Sequence, residues 1–120
     1  MSFLTENILR GADDDFIRKR RKENFDHLAR AFHHQNGLTL RVPEGAFAYP
    51  LLVPQGAEVR RRLIEDHVYI PTLWPNVVND AREGAWEQTL AQDILPLPVD
   101  QRYNADDMAW LIEEVEKWLR

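Results

Sequence analysis

The spacing of apolar residues divides the chain into alternating helical and extended pieces. From about Asp14 to His34, Ile17, Phe25, Leu28 and Phe32 recur at helical intervals, and Arg21 falls on the same stripe. Asp13, Asp14 and Asp15 suit the start of this helix, because their oxygens accept from unpaired N–H groups and their charge suits the positive end of the dipole. Asn36-Gly37 is a helix stop. Residues 1–13 read as a leader with a short helical turn ending near Gly11. Leu38, Leu40 and Val42 alternate, which predicts a short strand, and Pro43-Glu44-Gly45 reads as a turn. Phe47, Tyr49, Leu51 and Val53 then share one face of a second strand. Pro50 has no N–H to give, so this strand lies at an edge or bulges.

Ala57 to Asp66 returns to helical periodicity, with Val59, Leu63 and Ile64 inward and Arg60, Arg61 and Arg62 mostly outward. Val68, Tyr69 and Ile70 predict a short strand. Pro71-Thr72-Leu73-Trp74-Pro75 is an extended loop, since each proline biases its predecessor out of helix. Trp86, Leu90 and Ile94 mark a third helix, and Leu95 to Val99 is extended. Asn104 caps the last helix, whose apolar face is Met108, Leu111, Ile112, Val115 and Leu119. The order α-β-β-α-β-α-β-α predicts an α+β fold. Its sheet is small, mixed or antiparallel, with about four short strands packed with helices in one domain over residues 14–120.

Composition narrows the function classes. The chain has 120 residues, 44% of them hydrophobic, which suits one globular core. There is no cysteine, so disulfides, thiolate nucleophiles and zinc-thiolate sites are excluded together. Nothing requires an oxidising compartment, and the start MSFLTENILRG has no basic region followed by an apolar stretch, so a cytoplasmic location is expected. No apolar run approaches the roughly 20 residues of a membrane span. A net charge of -5 argues against nucleic-acid binding, which draws on Lys and Arg.

Few residues carry chemistry. His27, His33 and His34 lie on one predicted helix, and Glu23 precedes His27 by four, a spacing at which both could touch a metal. No HExxH is present and no third ligand is evident, so a solvated polar face is preferred. The run Arg18-Lys19-Arg20-Arg21-Lys22 wraps around its helix and makes no single surface. Arg21, among apolar residues, either snorkels from beneath the helix or pairs with a carboxylate on another domain. Ser2 is the sole serine, which excludes a serine triad, and no GxGxxG or P-loop pattern occurs. Trp110 lies almost opposite the apolar face of the last helix, a typical place for an interface anchor and hence for self-association. Trp74, between prolines, either covers the core or projects towards a ligand.

Residues 18–28, RKRRKENFDHL, with Arg20, Arg21, Asn24, Phe25 and Leu28, resemble the helix leading into the small domain of pyridoxal-phosphate-dependent nucleotide-sugar aminotransferases, the DegT/DnrJ/StrS family. Phe47 to Val53 is similar to that domain's edge strand, and Arg60, Arg61 and Leu63 to the helix that follows it. Val68 to Pro75, VYIPTLWP, is similar to its middle strand and loop. Ile94 to Tyr103, ILPLPVDQRY, is similar to the segment before its last helix. The likeness spans about residues 16–120.

The resemblance implies a small domain without the large one. In the family the large domain binds pyridoxal phosphate and supplies the Schiff-base lysine. Lys19, Lys22 and Lys117 are the lysines here, and none matches that position. This chain alone is therefore expected to bind no cofactor and to hold no catalytic residue. The resemblance also implies a cleft-facing loop at Pro71 to Pro75, with Thr72 and Trp74 as substrate or domain-interface candidates. A second edge, Asp100 to Tyr103, adds Arg102 and Tyr103, and Arg21 joins them. The leading expectation is a binding or structural unit, or remnant, acting with a separately encoded pyridoxal-phosphate-binding domain or with itself. The alternatives are one half of a split sugar aminotransferase, and an unrelated α/β interaction module.

Overall fold

The computed structural model describes residues 14–43, 45–78 and 86–119, so the expected leader and the helix-starting role of Asp13 lie outside the described residues. Helix α1 is Asp14–Phe32, strand β1 Ala48–Leu52, and helix α2 Gly56–Glu65. A single helical turn, α3, covers Pro75–Val78. Helix α4 is Trp86–Asp93, strand β2 Ile94–Pro98 and helix α5 Ala105–Leu119. The class is α+β, but the expectation of about four strands is corrected. Among the described residues there are two, β1 and β2, and they pair antiparallel with Tyr49 opposite Leu97 and Pro50 opposite Pro96.

The reason lies at the sheet's edges. Leu52 donates its N–H away from β2, to Asn36 Oδ1 at 3.0 Å. Alternate residues of a strand point their polar groups the same way, so Pro50 and Ala48 also face this edge. There the Asn36 amide donates to the Pro50 carbonyl at 2.9 Å, and Gly37 N–H donates to the Leu52 carbonyl at 2.7 Å. One asparagine thus takes the place of an edge strand, and Leu38–Val42 adds no ladder. On the far edge Ile94, Pro96 and Pro98 face outward. Two of the three lack an N–H, and the Ile94 carbonyl accepts from Arg60 Nη2. Such an edge offers another strand at most the Ile94 N–H. Val68–Ile70 keeps the alternation of a strand, with Val68 and Ile70 buried and Tyr69 exposed, but pairs with no strand among the described residues.

The inner sheet face, Tyr49, Leu51, Leu95 and Leu97, packs with Phe25, Leu28 and Phe32 of α1 and with Met108, Leu111 and Val115 of α5. This is the core that the helical stripes predict. Four side chains depart from expectation, one of them Ile64, expected inward but 42% exposed on α2. Phe47 is 76% exposed, because the strand begins after it at Ala48. Ile94 starts β2 instead of marking a helix, since Pro96 disfavours helix at Leu95. Arg60, expected outward, is buried at 7% exposure.

Arg60 belongs to a knot that fixes β2 against α2. Its Nη1 donates to the Gln92 carbonyl at 3.0 Å, on one side of Asp93, and its Nη2 to the Ile94 carbonyl on the other. Its Nε has no partner. Burial disfavours the guanidinium charge, and the Asp93 carboxylate opposes that effect. Asp93 Oδ1 accepts the Ala57 N–H at 3.1 Å, capping α2 from another helix. Outside this knot, Arg61 and Arg62 pair with Glu58 and Glu65 on the exposed face of α2.

Helix α2 ends in a Schellman arrangement. Val68 N–H donates to the Leu63 carbonyl at 2.8 Å and His67 N–H to that of Ile64 at 3.0 Å. His67 takes the left-handed position at φ 66°, where glycine is favoured. Replacing His67 by Gly is expected to raise stability by about 0.5–1 kcal/mol, read as a higher urea midpoint. An unchanged or lower midpoint would mean that the imidazole makes up for the strain.

Candidate functional site

The second face of the sheet carries Ala48, Pro50 and Pro96, with Pro98 at its end. Two grooves run side by side across it, lined among the described residues by strand and loop residues and by Phe25 of α1. One, of about 410 Å³, lies between Trp74 and Phe47 over Pro50 and Pro96. The other, of about 170 Å³, lies between Phe47 and Tyr103, with Tyr69 and Pro98 in its wall. They share Phe47, Ala48 and Pro96, so they form one continuous surface. Phe47 is 76%, Tyr69 72% and Trp74 47% exposed along it. Beyond Tyr103 and Tyr69 a third pocket, of about 280 Å³, opens beside Trp110.

The far end of this surface is positioned by α1. Asn24 is buried, and its Nδ2 donates to the carbonyls of Val99, Asp100 and Tyr103 at 3.0–3.2 Å. Arg20 Nη1 reaches the Tyr103 carbonyl at 3.2 Å, and Arg21 Nε donates to Gln101 Oε1 at 3.0 Å. The segment closes as a turn, with Tyr103 N–H to the Asp100 carbonyl at 3.0 Å. Asp100 Oδ1 accepts the Arg102 N–H at 3.0 Å and lies 3.2 Å from Arg102 Nε. These contacts, the backbone N–H first, hold the Asp100 carboxyl below its usual range. Arg102 also lies over the Tyr103 ring, 5.8 Å from its centroid.

Four of the residues singled out by sequence therefore come together at one end: Arg102 lies over the Tyr103 ring, Arg21 holds Gln101 of the same turn, and Tyr103 separates the sheet-face grooves from the pocket beside Trp110. Arg21 Nε is held by a glutamine side chain of its own domain. Trp74 lies at the other end, joined through Phe47 and Pro96, while Thr72 is exposed and lines none of the described grooves. Sequence reasoning missed Phe47 and Tyr69 as surface aromatics. Tyr69 was readable, because it alternates with two buried residues.

The chain matches no family model, no curated protein and no solved structure. Its site is therefore read from its own groups. Among the described residues no three metal-ligating side chains gather, and Glu23 lies 3.8 Å from Arg20 in an ion pair. No helix among them is long and apolar enough to cross a membrane.

The lysines do not fit pyridoxal phosphate. Aldimine formation needs a neutral amine held in a pocket. Lys19 and Lys22 are exposed on α1. Lys117 donates to Glu114 Oε1 at 2.8 Å, and that hydrogen bond raises its pKa, the wrong direction for a nucleophilic amine. Among the described carboxyls Glu58 is the most strongly shifted, held at about 2 by hydrogen bonds from Arg61 ahead of those from Arg62, on the exposed face of α2.

Proposed function

We propose that the chain is a non-catalytic binding module that uses the outer sheet face to seat a folded partner domain. The observation that carries this reading is the continuous groove surface from Trp74 through Phe47 to Tyr103 and Tyr69, floored by prolines, with Phe47, Tyr69 and Trp74 exposed along it. Large exposed aromatics gathered on one rigid face are the usual anchors of a protein interface. Prolines at the sheet edge discourage strand-to-strand pairing, so the face, not the edge, makes the contact.

In the aminotransferase reading, the partner is a separately encoded domain that brings pyridoxal phosphate and its lysine, and this chain closes over the cleft from its Trp74 and Tyr103 ends. The order of the resembling segments along residues 16–120 supports that reading. The chain would then be half of a split enzyme, or a remnant of one. The two-stranded sheet favours a second reading, an interaction module unrelated to aminotransferases, because about four strands were expected of the small domain.

Both readings use the same face and share one test. The tagged chain and a Phe47→Asp, Trp74→Asp variant are used to capture partners from native cell extract, beside an Arg61→Ala control on the exposed face of α2, outside both grooves. The expected result is a stoichiometric partner held by the wild type and the control, with binding to the variant weakened at least a hundredfold. A pyridoxal-phosphate-lysine adduct in the partner selects the aminotransferase reading. Equal capture by all three proteins, or none by the wild type, would contradict the module.

A further inference from the structure

We propose that the pocket between α5 and residues 67–69 is a cage for an alkylated ammonium group. At about 280 Å³ it falls just under the roughly 300–1,000 Å³ of sites for drug-sized ligands, so it suits a head group and not a whole cofactor. Tyr69, Tyr103 and Trp110 are among its lining residues. Among the described residues the ring pairs in contact are Phe25–Tyr49 and His33–His34, so these three wall the pocket without stacking on one another. Its base is apolar, formed by the buried Met108, Leu111 and Val68.

The charge of the occupant follows from the lining. Aromatic faces are negative and attract cations, and methyl groups on the nitrogen suit an apolar base that would reject a bare, strongly hydrated ammonium. Asp107 lines the pocket. Its Oδ2 accepts the Asn104 N–H at 2.9 Å in the cap of α5, which leaves Oδ1 for a cation. Among the described residues no lysine or arginine lines the pocket. The Tyr103 ring already holds one cation, the Arg102 guanidinium, from the side of the neighbouring groove, and Asp100 balances that charge. His67, at the C-terminal cap of α2, also stands in the lining.

This inference does not rest on the sheet-face reading, because the pocket lies on the other side of Tyr103 and its test needs no partner protein. The full chain is titrated with choline and with a peptide carrying trimethyllysine, followed by tryptophan fluorescence and amide shifts. The uncharged match is 3,3-dimethylbutan-1-ol. Saturable shifts are expected at His67, Tyr69 and Trp110, with the alcohol at least tenfold weaker. Trp110→Ala, at a half-exposed position, should abolish binding with the fold intact. Asp107→Asn, which keeps an acceptor for the cap, should weaken it about tenfold. Binding of choline points to a free small molecule, and binding of the peptide alone to a modified protein. No saturable shift with either, or equal binding of the alcohol, would overturn the cage.

Discussion

Gly56→Ala is expected to destabilise the chain by about 3 kcal/mol or more, a loss of roughly 10 °C in Tm. A methyl group at this position would stand 1.9 Å from the Asp93 carbonyl oxygen and 2.6 Å from its carbon. Those are backbone atoms, so no rotamer change relieves the clash. Either α2 or the α4–β2 junction must move. Both are pinned, by Arg60 on the Gln92 and Ile94 carbonyls and by Asp93 on the Ala57 N–H. The knot therefore breaks with the substitution. Because β2 then loses its anchor, exchange of amide protons should accelerate in β1 and β2 before it does in α5. Thermal melting checks the size of the effect, and a melt within 2 °C of wild type would show that the close approach is not maintained in solution.

The second large effect belongs to Asn24→Ala, expected to cost about 2–4 kcal/mol. The amide of Asn24 serves three carbonyls at once, those of Val99, Asp100 and Tyr103, from a fully buried position. Removing it leaves those acceptors short of a donor in a space that water enters poorly. The consequence is local as well as global, because the same carbonyls fix the turn that carries Arg102 and Tyr103. Urea unfolding gives the free energy, and the environment of Tyr103, read by its ring resonances, should change even where the domain stays folded. A variant with normal stability and an unaltered Tyr103 would mean that Arg20 and the turn itself suffice.

The helices were legible because their information is local. The stripe Phe25, Leu28 and Phe32, the Asn104 cap and the face of Met108, Leu111 and Val115 each need only residues three or four apart. Both paired strands were legible as extended segments for the same reason. The number of strands was not, since it depends on what fills an edge. Alternation at Leu38–Val42 and Val68–Ile70 records one buried side, and a ladder requires a partner with N–H groups to give. Asn36 and the prolines at 50, 96 and 98 remove that partner.

Arg60 was misread because it belongs to a triplet of arginines, of which only Arg61 and Arg62 behave as the pattern predicts. Its burial is decided by carbonyls 32 and 34 residues away. For the candidate site, Tyr103, Arg102, Trp110 and Trp74 could be chosen from sequence as unusual residues on loops or polar faces. That the first three share one end of the molecule, and that Phe47 links them to Trp74, follows from the register of the two strands and could not be reached by spacing alone.

The most direct test is hydroxyl-radical footprinting of the chain within its native assembly, compared with the isolated chain. Protection is predicted at Phe47, Tyr69 and Trp74 together, with no change at Ile64 on the outer side of α2. Protection centred on α2, or aromatics on the sheet face that oxidise equally in both states, would contradict the assignment of this face as the binding surface.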